Sequence, residues 1–410
     1  MATQQNTPRA PLRLRPFRGM RYDSAVVGDI AAVTSPPYDV MDRPMIDTLL
    51  QQHSRNIVRL ILPRMVNDPV TGGNPYDRAA KRLERWRKKG VLATDAEPAL
   101  YVYEYGSADH AVCGVVGAVE LHHALEQVIL PHEDVIAGIV ADRLAMMTAS
   151  HANLEPILLV YDGDGGTAPL IDAARARPPL VDITCLDGTY HRLWSVTSAA
   201  DLQSFEELLA PHQALIADGH HRYATYLKLR DRLSREGLTP GPAGRGLALL
   251  VDQSRCPLAV SAIHRSLSEF PLESVREPSG FELSGAEPVA AGGPRVPTRN
   301  GELVLTDGAS TRVLRAAPPR SMATTDAELL HEVLLPAWGL TDDRVGYHHT
   351  IDQTLRSAHQ DGGIAVLLHP TTVAEVMKVA RAGRILPRKS TSFGPKPRMG
   401  LVMRSFSDEA

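Results

Sequence analysis

The segment ADGHHRY at 217–223 places an acid, a glycine, two histidines and an arginine directly after an apolar run, ALIA. A mostly helical pattern follows, through Leu229 and Leu233. The N-terminus of a helix exposes backbone N–H groups and carries partial positive charge, so it can bind an anion such as a phosphate. The strand-to-helix order therefore predicts a phosphate-binding turn that comprises Gly219, His220, His221 and Arg222.

The side chains of this turn fit a phosphate in different ways. Gly219 has no Cβ, which lets a phosphate approach the backbone, and the planar fork of Arg222 matches phosphate oxygens. Asp218 can cap the helix, orient a histidine or accept a proton. A capped helix with two solvated histidines would explain the same residues without any ligand.

Three acids are candidate proton acceptors for a reaction at such a site. Glu133 is the first choice, because the segment LPHEDV lies between a predicted strand and a predicted helix. Acids in a first helical turn are also explained by the helix dipole alone. Asp218 is the second choice and Asp39 the third. Asp39 and Tyr38 follow the proline pair of SPPYDV, which predicts a rigid turn at a strand end.

Other segments supply the remaining candidate contacts. The candidate substrate-binding residues are Tyr38, His132 and Arg143. An ion pair with Asp142 would also explain Arg143. Lys389 and Lys396, in the segment RKSTSFGPK, are candidate phosphate ligands, and a solvated basic loop is the alternative.

Several common catalytic motifs do not occur in the sequence. It has no His-Glu-x-x-His zinc site, no Gly-x-Ser-x-Gly nucleophile elbow and no Gly-x4-Gly-Lys-Ser/Thr phosphate loop. The pattern Gly163-x-Gly165-x-x-Ala168 matches only part of a dinucleotide-binding fingerprint. A phosphate site in this chain must therefore be built in another way, and the sequence assigns no metal ligands.

The composition is that of an ordinary globular protein. The chain has 410 residues, of which 43% are hydrophobic and 22% charged, and its formal net charge of −3 gives no reason to expect nucleic acid as a partner. Its three cysteines lie far apart in the sequence and fit a reducing compartment. No apolar run reaches the roughly 20 residues that span a bilayer, and the polar start does not resemble a signal peptide. We therefore expect a cytoplasmic protein without a membrane partner.

The predicted elements alternate in type, which favours an α/β or α+β fold. Strands are expected at 12–17, 30–35, 56–62, 99–106, 113–121, 155–162 and 363–369. Helices are expected at 42–54, 76–92, 134–151, 324–340, 351–362 and 372–383. The region from 272 to 320 is dense in Pro, Gly and Ser, and it is either a loop-rich β region or a linker.

Several segments resemble known families. The DGHHRY turn at 218–223 resembles the ligand-binding turn of the ParB/sulfiredoxin superfamily, in which sulfiredoxins hold nucleotide phosphates with a similar turn and free-serine kinases use an Asp-Gly-His-His-Arg type turn. The whole chain resembles domain-of-unknown-function family 1015 of bacteria and archaea. The matching segments are LRPFRGMRY, SPPYDV, PHE, ADRL, ADGHHRY and PRKSTSFGPKP. Arg388, Ser392 and Gly394 depart from the Gln and aromatic residues that are usual in that family.

The resemblance implies both a domain plan and a function. The plan is a disordered lead-in over 1–11, an enlarged ParB/sulfiredoxin-like nucleotide-binding core over 12–265, a Pro/Gly-rich region over 266–320 and a C-terminal α+β portion over 321–410. The implied function is phosphoryl transfer from ATP or ADP, with Mg²⁺, to a small hydroxyl compound, and free serine is the first guess. The alternatives are a nucleotide-sensing regulatory protein without turnover and a phosphohydrolase. The acceptor, the nucleotide and the oligomeric state stay open.

Overall fold

The computed structural model describes residues 9–66, 73–317 and 325–409. The chain divides into two units. The first unit consists of the chain up to Pro131, of Val135–Leu258 and of the chain from Pro395 onward, and the second consists of His132–Asp134 and Ala259–Gly394. Three predicted features lie outside the described residues. They are most of the lead-in predicted over 1–11, the domain boundary predicted after 320 and the first residue of the helix predicted at 324–340.

The secondary structure mixes strands and helices throughout the described residues. The strands are β1 Leu14–Arg15, β2 Gly19–Tyr22, β3 Leu92–Thr94, β4 Leu100–Gly106, β5 Ala111–Glu120, β6 Ile129–Leu130, β7 Ala152–Asn153, β8 Ile157–Tyr161, β9 Val181–Thr184, β10 Tyr190–Val196, β11 Ala214–Asp218, β12 Arg245–Asp252, β13 Ala259–Ser261, β14 His264–Leu267, β15 Phe281–Leu283, β16 Glu287–Pro288, β17 Glu302–Thr306, β18 Ser310–Ala316, β19 Val345–His348, β20 Ile364–Leu367, β21 Ser392–Gly394 and β22 Met403–Ser405. The α-helices are α1 Ser24–Val27, α2 Ile30–Val33, α3 Arg43–Gln52, α4 Val58–Ile61, α5 Pro75–Lys88, α6 Ala137–Ser150, α7 Ala168–Arg175, α8 Ala199–Leu209, α9 His220–Arg235, α10 Asp326–Glu328, α11 Leu335–Ala337, α12 Ile351–Gln360 and α13 Val373–Arg381. A π-helical segment, Leu329–Leu334, joins α10 to α11.

The first unit is built on two sheets within its described residues. The larger has nine strands in the order β6-β11-β8-β12-β5-β4-β10-β9, with β1 paired to β5, and the smaller has the order β3-β2-β22-β7. Strands β4, β8 and β11 are buried along their whole length, as expected where both faces of a sheet are covered. Helix α9 packs against α6 and against this sheet, where it contributes Tyr223, Tyr226 and Leu229 to the hydrophobic core.

The second unit contains an antiparallel sheet of seven strands among its described residues. Its order is β15-β18-β17-β20-β14-β19, and β16 also pairs with β18. Four of these strands, β15 to β18, come from the stretch rich in Pro and Gly, which therefore belongs to a sheet. Leu303, Leu314 and Leu330 are completely buried in its core. The predicted mixture of helices and strands in an α/β or α+β fold is confirmed.

Two predicted strands are helices in the structure. Residues Ile30–Val33 form α2, because the Asp29 side chain caps the segment by accepting a hydrogen bond from the Ala31 N–H. Residues Val58–Ile61 form α4, where the Asn56 side chain accepts from the Val58 N–H and donates to the carbonyl oxygens of Ala32 and Thr34. Both segments are short and mostly apolar, so periodicity cannot distinguish a buried helix from a strand.

The other predicted elements are present, with boundaries shifted by a few residues. The strand predicted at 12–17 is reduced to β1, whereas β4, β5, β8 and β20 and helices α3, α5, α6, α12 and α13 stand where the sequence pattern placed them. No helix in the described residues is long and apolar enough to cross a membrane.

Candidate functional site

The turn from β11 to α9 has the geometry that its sequence predicts. Gly219 adopts a left-handed conformation with φ of 95°, and its carbonyl accepts the first hydrogen bond of α9, from the Tyr223 N–H. A Cβ at this position would lie 2.9 Å from Ile157 Cγ2 and 3.0 Å from Arg222 Nε. Glycine is therefore required here by both conformation and space. The sixteen residues of α9 direct the positive end of their dipole toward this turn.

Arg222 lies beneath the turn, with only 4% of its surface exposed. Its guanidinium donates hydrogen bonds to the Asp218 carboxylate and to the Pro156 carbonyl oxygen. Burial works to lower the pKa of Arg222, but the charges of Asp218 and Glu155 outweigh it, so the pKa is raised and the guanidinium stays charged. The contacts that Arg222 makes here fix the position of Asp218.

A buried lysine joins two of the predicted acids. The Nζ atom of Lys396 lies 2.6 Å from Asp218 Oδ1 and 2.7 Å from Asp39 Oδ2, and the Lys396 side chain is 14% exposed. Burial works to lower the pKa of Lys396, but the charges of Asp218 and Asp39 outweigh it and the pKa is raised. Burial likewise works to raise the pKa of Asp39, but the charge and hydrogen bond of Lys396 outweigh it, and the pKa is lowered. At neutral pH the three groups form a charged cluster, Asp39–Lys396–Asp218.

The stability of this cluster depends on its lysine. We expect Lys396→Met to lower the free energy of unfolding at pH 7 by about 3 kcal/mol, because two neighbouring carboxylates lose their shared counter-ion. The pKa of Asp39 is lowered by folding, so its contribution is present above the unfolded carboxyl pKa of about 3.9 and is lost as the pH falls below it. The free energy of unfolding of Lys396→Met should therefore fall below that of the wild type at neutral pH, and this difference should shrink below about pH 4. Urea denaturation at neutral and acidic pH measures it.

Lys88 provides the control for this prediction. It pairs with Glu84 on the surface of α5, where the two side chains are 73% and 63% exposed. We expect Lys88→Met to leave the free energy of unfolding nearly unchanged at either pH, because solvent screens this exposed pair. A charged Asp39–Lys396–Asp218 cluster would be contradicted if the two lysine variants lost equal amounts of unfolding free energy. It would also be contradicted if the loss in Lys396→Met persisted in acid.

Tyr38 lies between two cations in the first unit. Its ring centroid is 4.6 Å from Arg143 Cζ and 5.9 Å from Arg222 Cζ. Burial raises the pKa of Tyr38 to about 12, although the charge of Arg222 opposes it. Arg143 also donates to Asp142 and to the Ile61 carbonyl oxygen. The ion pair of Arg143 with Asp142, which the sequence offered as the alternative, is thus present.

The two histidines of the turn are half-buried at the start of α9. The Nε2 atom of His221 accepts a hydrogen bond of 2.9 Å from the backbone N–H of Ile136, the residue that precedes α6. An accepting Nε2 leaves Nδ1 as the donor of the neutral ring. His221 therefore connects the beginnings of α6 and α9.

Glu133, His132 and Lys389 belong to the second unit. Glu133 Oε1 accepts hydrogen bonds from the backbone N–H groups of Ser390 and Thr391 and from the Thr391 hydroxyl, and Oε2 accepts one from the Lys389 N–H. Burial raises the pKa of Glu133, although these hydrogen bonds oppose it. Because the Thr391 hydroxyl donates to Glu133, it accepts from His132 Nε2 at 2.8 Å. The Lys389 side chain is exposed.

The structure thus brings together one group of the predicted residues. Of the twelve predicted site residues, seven lie around the β11–α9 turn and its charged cluster in the first unit: Tyr38, Asp39, Arg143, Asp218, Gly219, Arg222 and Lys396. His220 and His221 stand on the same turn. The sequence prediction missed Glu155, which is 6% exposed and whose carboxylate is 3.5 Å from Arg143 Nη1. The available signal was an acid placed directly before Pro156 and the buried strand β8.

Comparison with known families identifies the class of this protein. The family model described as protein of unknown function, DUF1015, matches residues 14–325, and the chain belongs to this family. This confirms the resemblance that the sequence segments indicated. A search of curated proteins finds no match.

Comparison with solved structures finds distant likenesses. A free serine kinase variant in complex with ADP is 14% identical, with a TM-score of 0.36 over 69% of this chain and 91% of that chain. A conserved hypothetical protein from Pyrococcus furiosus is also 14% identical, with a TM-score of 0.35 over 69% and 94% of the two chains. SbnI from Staphylococcus aureus, truncated at its C-terminus, is 10% identical, with a TM-score of 0.40 over 70% and 85%. At these scores the likeness implies neither a ligand nor a reaction for this chain.

Proposed function

We propose that this protein transfers a phosphoryl group from a nucleotide, ATP or ADP, to the hydroxyl group of a small metabolite. The observation that carries the proposal is the left-handed Gly219 turn at the N-terminus of α9, next to the Asp39–Lys396–Asp218 cluster. Phosphoryl transfer depends mainly on positioning and on stabilising negative charge. A helix N-terminus beside a buried ammonium group supplies both.

In this proposal the phosphates bind at the turn that Gly219, His220, His221 and Arg222 form. The left-handed conformation of Gly219 forms the turn that leads into α9, and the dipole of α9 stabilises the phosphate charge. Arg222 acts from beneath by holding Asp218, and Lys396 adds a positive charge. Lys389 as a phosphate ligand and His132 as a substrate contact stay predictions from the sequence, and both residues belong to the second unit.

Mg²⁺ is the expected companion of the nucleotide. No group of three or more His, Cys, Asp or Glu residues in the described parts of the chain could hold a metal by itself. Mg²⁺ in phosphotransferases commonly takes one or two carboxylates together with phosphate oxygens. Asp218 fits that requirement, and a bound Mg²⁺ would neutralise phosphate charge.

We propose Asp39 as the group that accepts the hydroxyl proton. The acceptor oxygen forms a bond to the phosphorus, the bond from that phosphorus to the nucleotide breaks, and the hydroxyl proton moves to the Asp39 carboxylate. Asp39 is the more accessible acid of the cluster, since its side chain is 30% exposed against 9% for Asp218. Glu133 remains the alternative, but its two oxygens already accept four hydrogen bonds from 389–391.

The test is a transfer assay with purified full-length protein. Radiolabelled ATP or ADP (label on the terminal phosphate), Mg²⁺ and a panel of small hydroxy compounds that includes serine should yield a labelled acceptor. Nucleotide binding without any product would contradict the phosphotransferase and favour a nucleotide sensor. Release of free phosphate that is independent of every acceptor would instead favour a phosphohydrolase.

A further inference from the structure

Strand β4 carries three buried tyrosines on one face of the larger sheet of the first unit. They are Tyr101, Tyr103 and Tyr105, and alternate residues of a strand share a face. Each of them is at most 2% exposed. The rings of Tyr103 and Tyr105 are stacked, with their centroids 4.7 Å apart. Phenylalanine would fill the same space, so the partners of the hydroxyl groups indicate what the tyrosines do.

Two of these hydroxyl groups hold the backbone on both sides of Lys396. The Tyr105 hydroxyl donates to the Pro395 carbonyl oxygen at 2.9 Å. The Tyr103 hydroxyl accepts from the Arg398 N–H at 3.0 Å. All of these residues belong to the first unit. The side chain of Lys396 therefore starts from a backbone segment that is fixed at both ends.

The segment 395–398 is also stiff in itself. Lys396 has a proline on each side, and proline fixes its own φ and restricts the residue before it to an extended backbone. At the end of the segment, the Arg398 guanidinium donates to the Thr34 hydroxyl at 2.6 Å. A stiff segment moves as a whole, so the two tyrosine hydroxyls set the position of Lys396 as well as that of their direct partners.

The hydroxyl of Tyr103 is held in one orientation by a chain of hydrogen bonds. Because it accepts from Arg398, its own proton points to His191 Nδ1, 2.8 Å away. The Thr189 hydroxyl donates to Asp187 and therefore accepts from His191 Nε2, at 3.2 Å. Both ends of the chain require the same neutral ring, with its proton on Nε2. Burial, together with the charge of Arg398, lowers the pKa of His191 to about 4, which keeps the ring neutral at neutral pH.

We propose that Tyr103 and Tyr105 are positioning residues for Lys396, whose ammonium group they keep between Asp39 and Asp218. Lysine has a flexible stem, so only a fixed backbone holds Nζ at 2.6 Å and 2.7 Å from the two carboxylates at once. If the proposed phosphotransferase function is correct, on which this part of the inference rests, the same two hydroxyls also place the positive charge that faces the phosphates.

The experiment measures how fast each lysine of the full-length protein is acetylated by acetic anhydride, with mass spectrometry as the readout. The reagent attacks the neutral amine, and the two carboxylates keep Lys396 charged. Lys396 in the wild type should therefore react at least about tenfold more slowly than Lys88, which is 73% exposed. Tyr103→Phe and Tyr105→Phe should each raise the rate at Lys396 about fivefold, because the loss of one hydrogen bond makes displacement of the segment easier. The rate at Lys88 should not change.

Tyr101→Phe is the matched control on the same strand. The Tyr101 hydroxyl accepts from the Gly19 N–H and donates to Asp95, so its loss should destabilise the protein about as much as the loss of the Tyr103 hydroxyl. It should leave the rate at Lys396 unchanged. Equal rates at Lys396 in Tyr101→Phe and Tyr103→Phe would overturn the proposal, and so would a wild-type Lys396 that reacts as fast as Lys88. Tyr105→Phe provides the same comparison if Tyr103→Phe does not fold.

The outcomes separate this inference from the proposed function, because acetylation does not require phosphoryl transfer. If transfer occurs, its kcat/KM should fall by about tenfold in Tyr103→Phe and stay within about twofold in Tyr101→Phe. Selective acetylation of Lys396 in a protein that transfers no phosphate would support the positioning role and contradict the phosphotransferase. Transfer that Tyr101→Phe and Tyr103→Phe impair equally would support the phosphotransferase and overturn the positioning role.

Discussion

Asp39→Asn is expected to lower the kcat of phosphoryl transfer by about 10²- to 10⁴-fold, the contribution typical of a general base. The amide keeps the shape of the carboxylate, and its oxygen can still accept a hydrogen bond from Lys396, but it cannot take the hydroxyl proton. Because Lys396 then keeps one carboxylate partner, Asp218, the fold should survive. The measurement is steady-state transfer of labelled phosphate, with far-UV circular dichroism as the check on folding.

Glu133→Gln is the matched control for this substitution. Glu133 accepts four hydrogen bonds from 389–391, so we assign it to holding that segment in place. Removing its charge should therefore alter kcat by no more than about threefold, which is too little for the loss of a proton acceptor. Its effect should instead be on the stability of the second unit. A kcat that collapses in Glu133→Gln and survives in Asp39→Asn would contradict our assignment of the base and restore Glu133.

Gly219→Ala is expected to weaken nucleotide binding by about tenfold or more and to destabilise the protein by about 1–3 kcal/mol. The residue has φ of 95°, and the new Cβ would lie 2.9 Å from Ile157 Cγ2 and 3.0 Å from Arg222 Nε. Relief of these contacts would shift the turn at which the phosphates are proposed to bind. Calorimetric titration with ADP and Mg²⁺ measures the first effect, and urea denaturation measures the second.

Gly188→Ala separates conformational strain from contact at the site. Gly188 has φ of 80° in an exposed turn, and a Cβ there would meet nothing within 4 Å. This variant should share the strain of a left-handed alanine but bind ADP as the wild type does. Equal nucleotide affinity in Gly219→Ala and Gly188→Ala would show that phosphates do not approach Gly219.

The part of the site that could be predicted from sequence is the part that is local in sequence. The turn at 217–223 combines an apolar strand, a glycine and a helical pattern within a few residues, so its conformation followed from short-range rules. The segments of α2 and α4 were predicted wrongly as strands because each helix has only four residues, most of them apolar. The local signals were Asp29, which caps α2, and Asn56, whose side chain accepts from the Val58 N–H.

The charged cluster depends on contacts between distant residues, which a single sequence does not reveal. Lys396 could be recognised as a basic residue near the C-terminus, but not as a buried one that contacts Asp39 across 357 positions. Glu155 was missed for the same reason, because its environment is set by arginines that are distant from it in the sequence. The position of Glu133 was predicted correctly as a loop beside a helix, whereas its hydrogen bonds to 389–391 depend on tertiary structure.

The most direct test of the central claim is a crystal structure of the protein bound to ADP and Mg²⁺. Our account predicts phosphate oxygens about 3 Å from backbone nitrogens in the first turn of α9, with the phosphates facing Gly219 and Lys396. A nucleotide bound elsewhere on the protein, or no bound nucleotide at a saturating concentration, would contradict it.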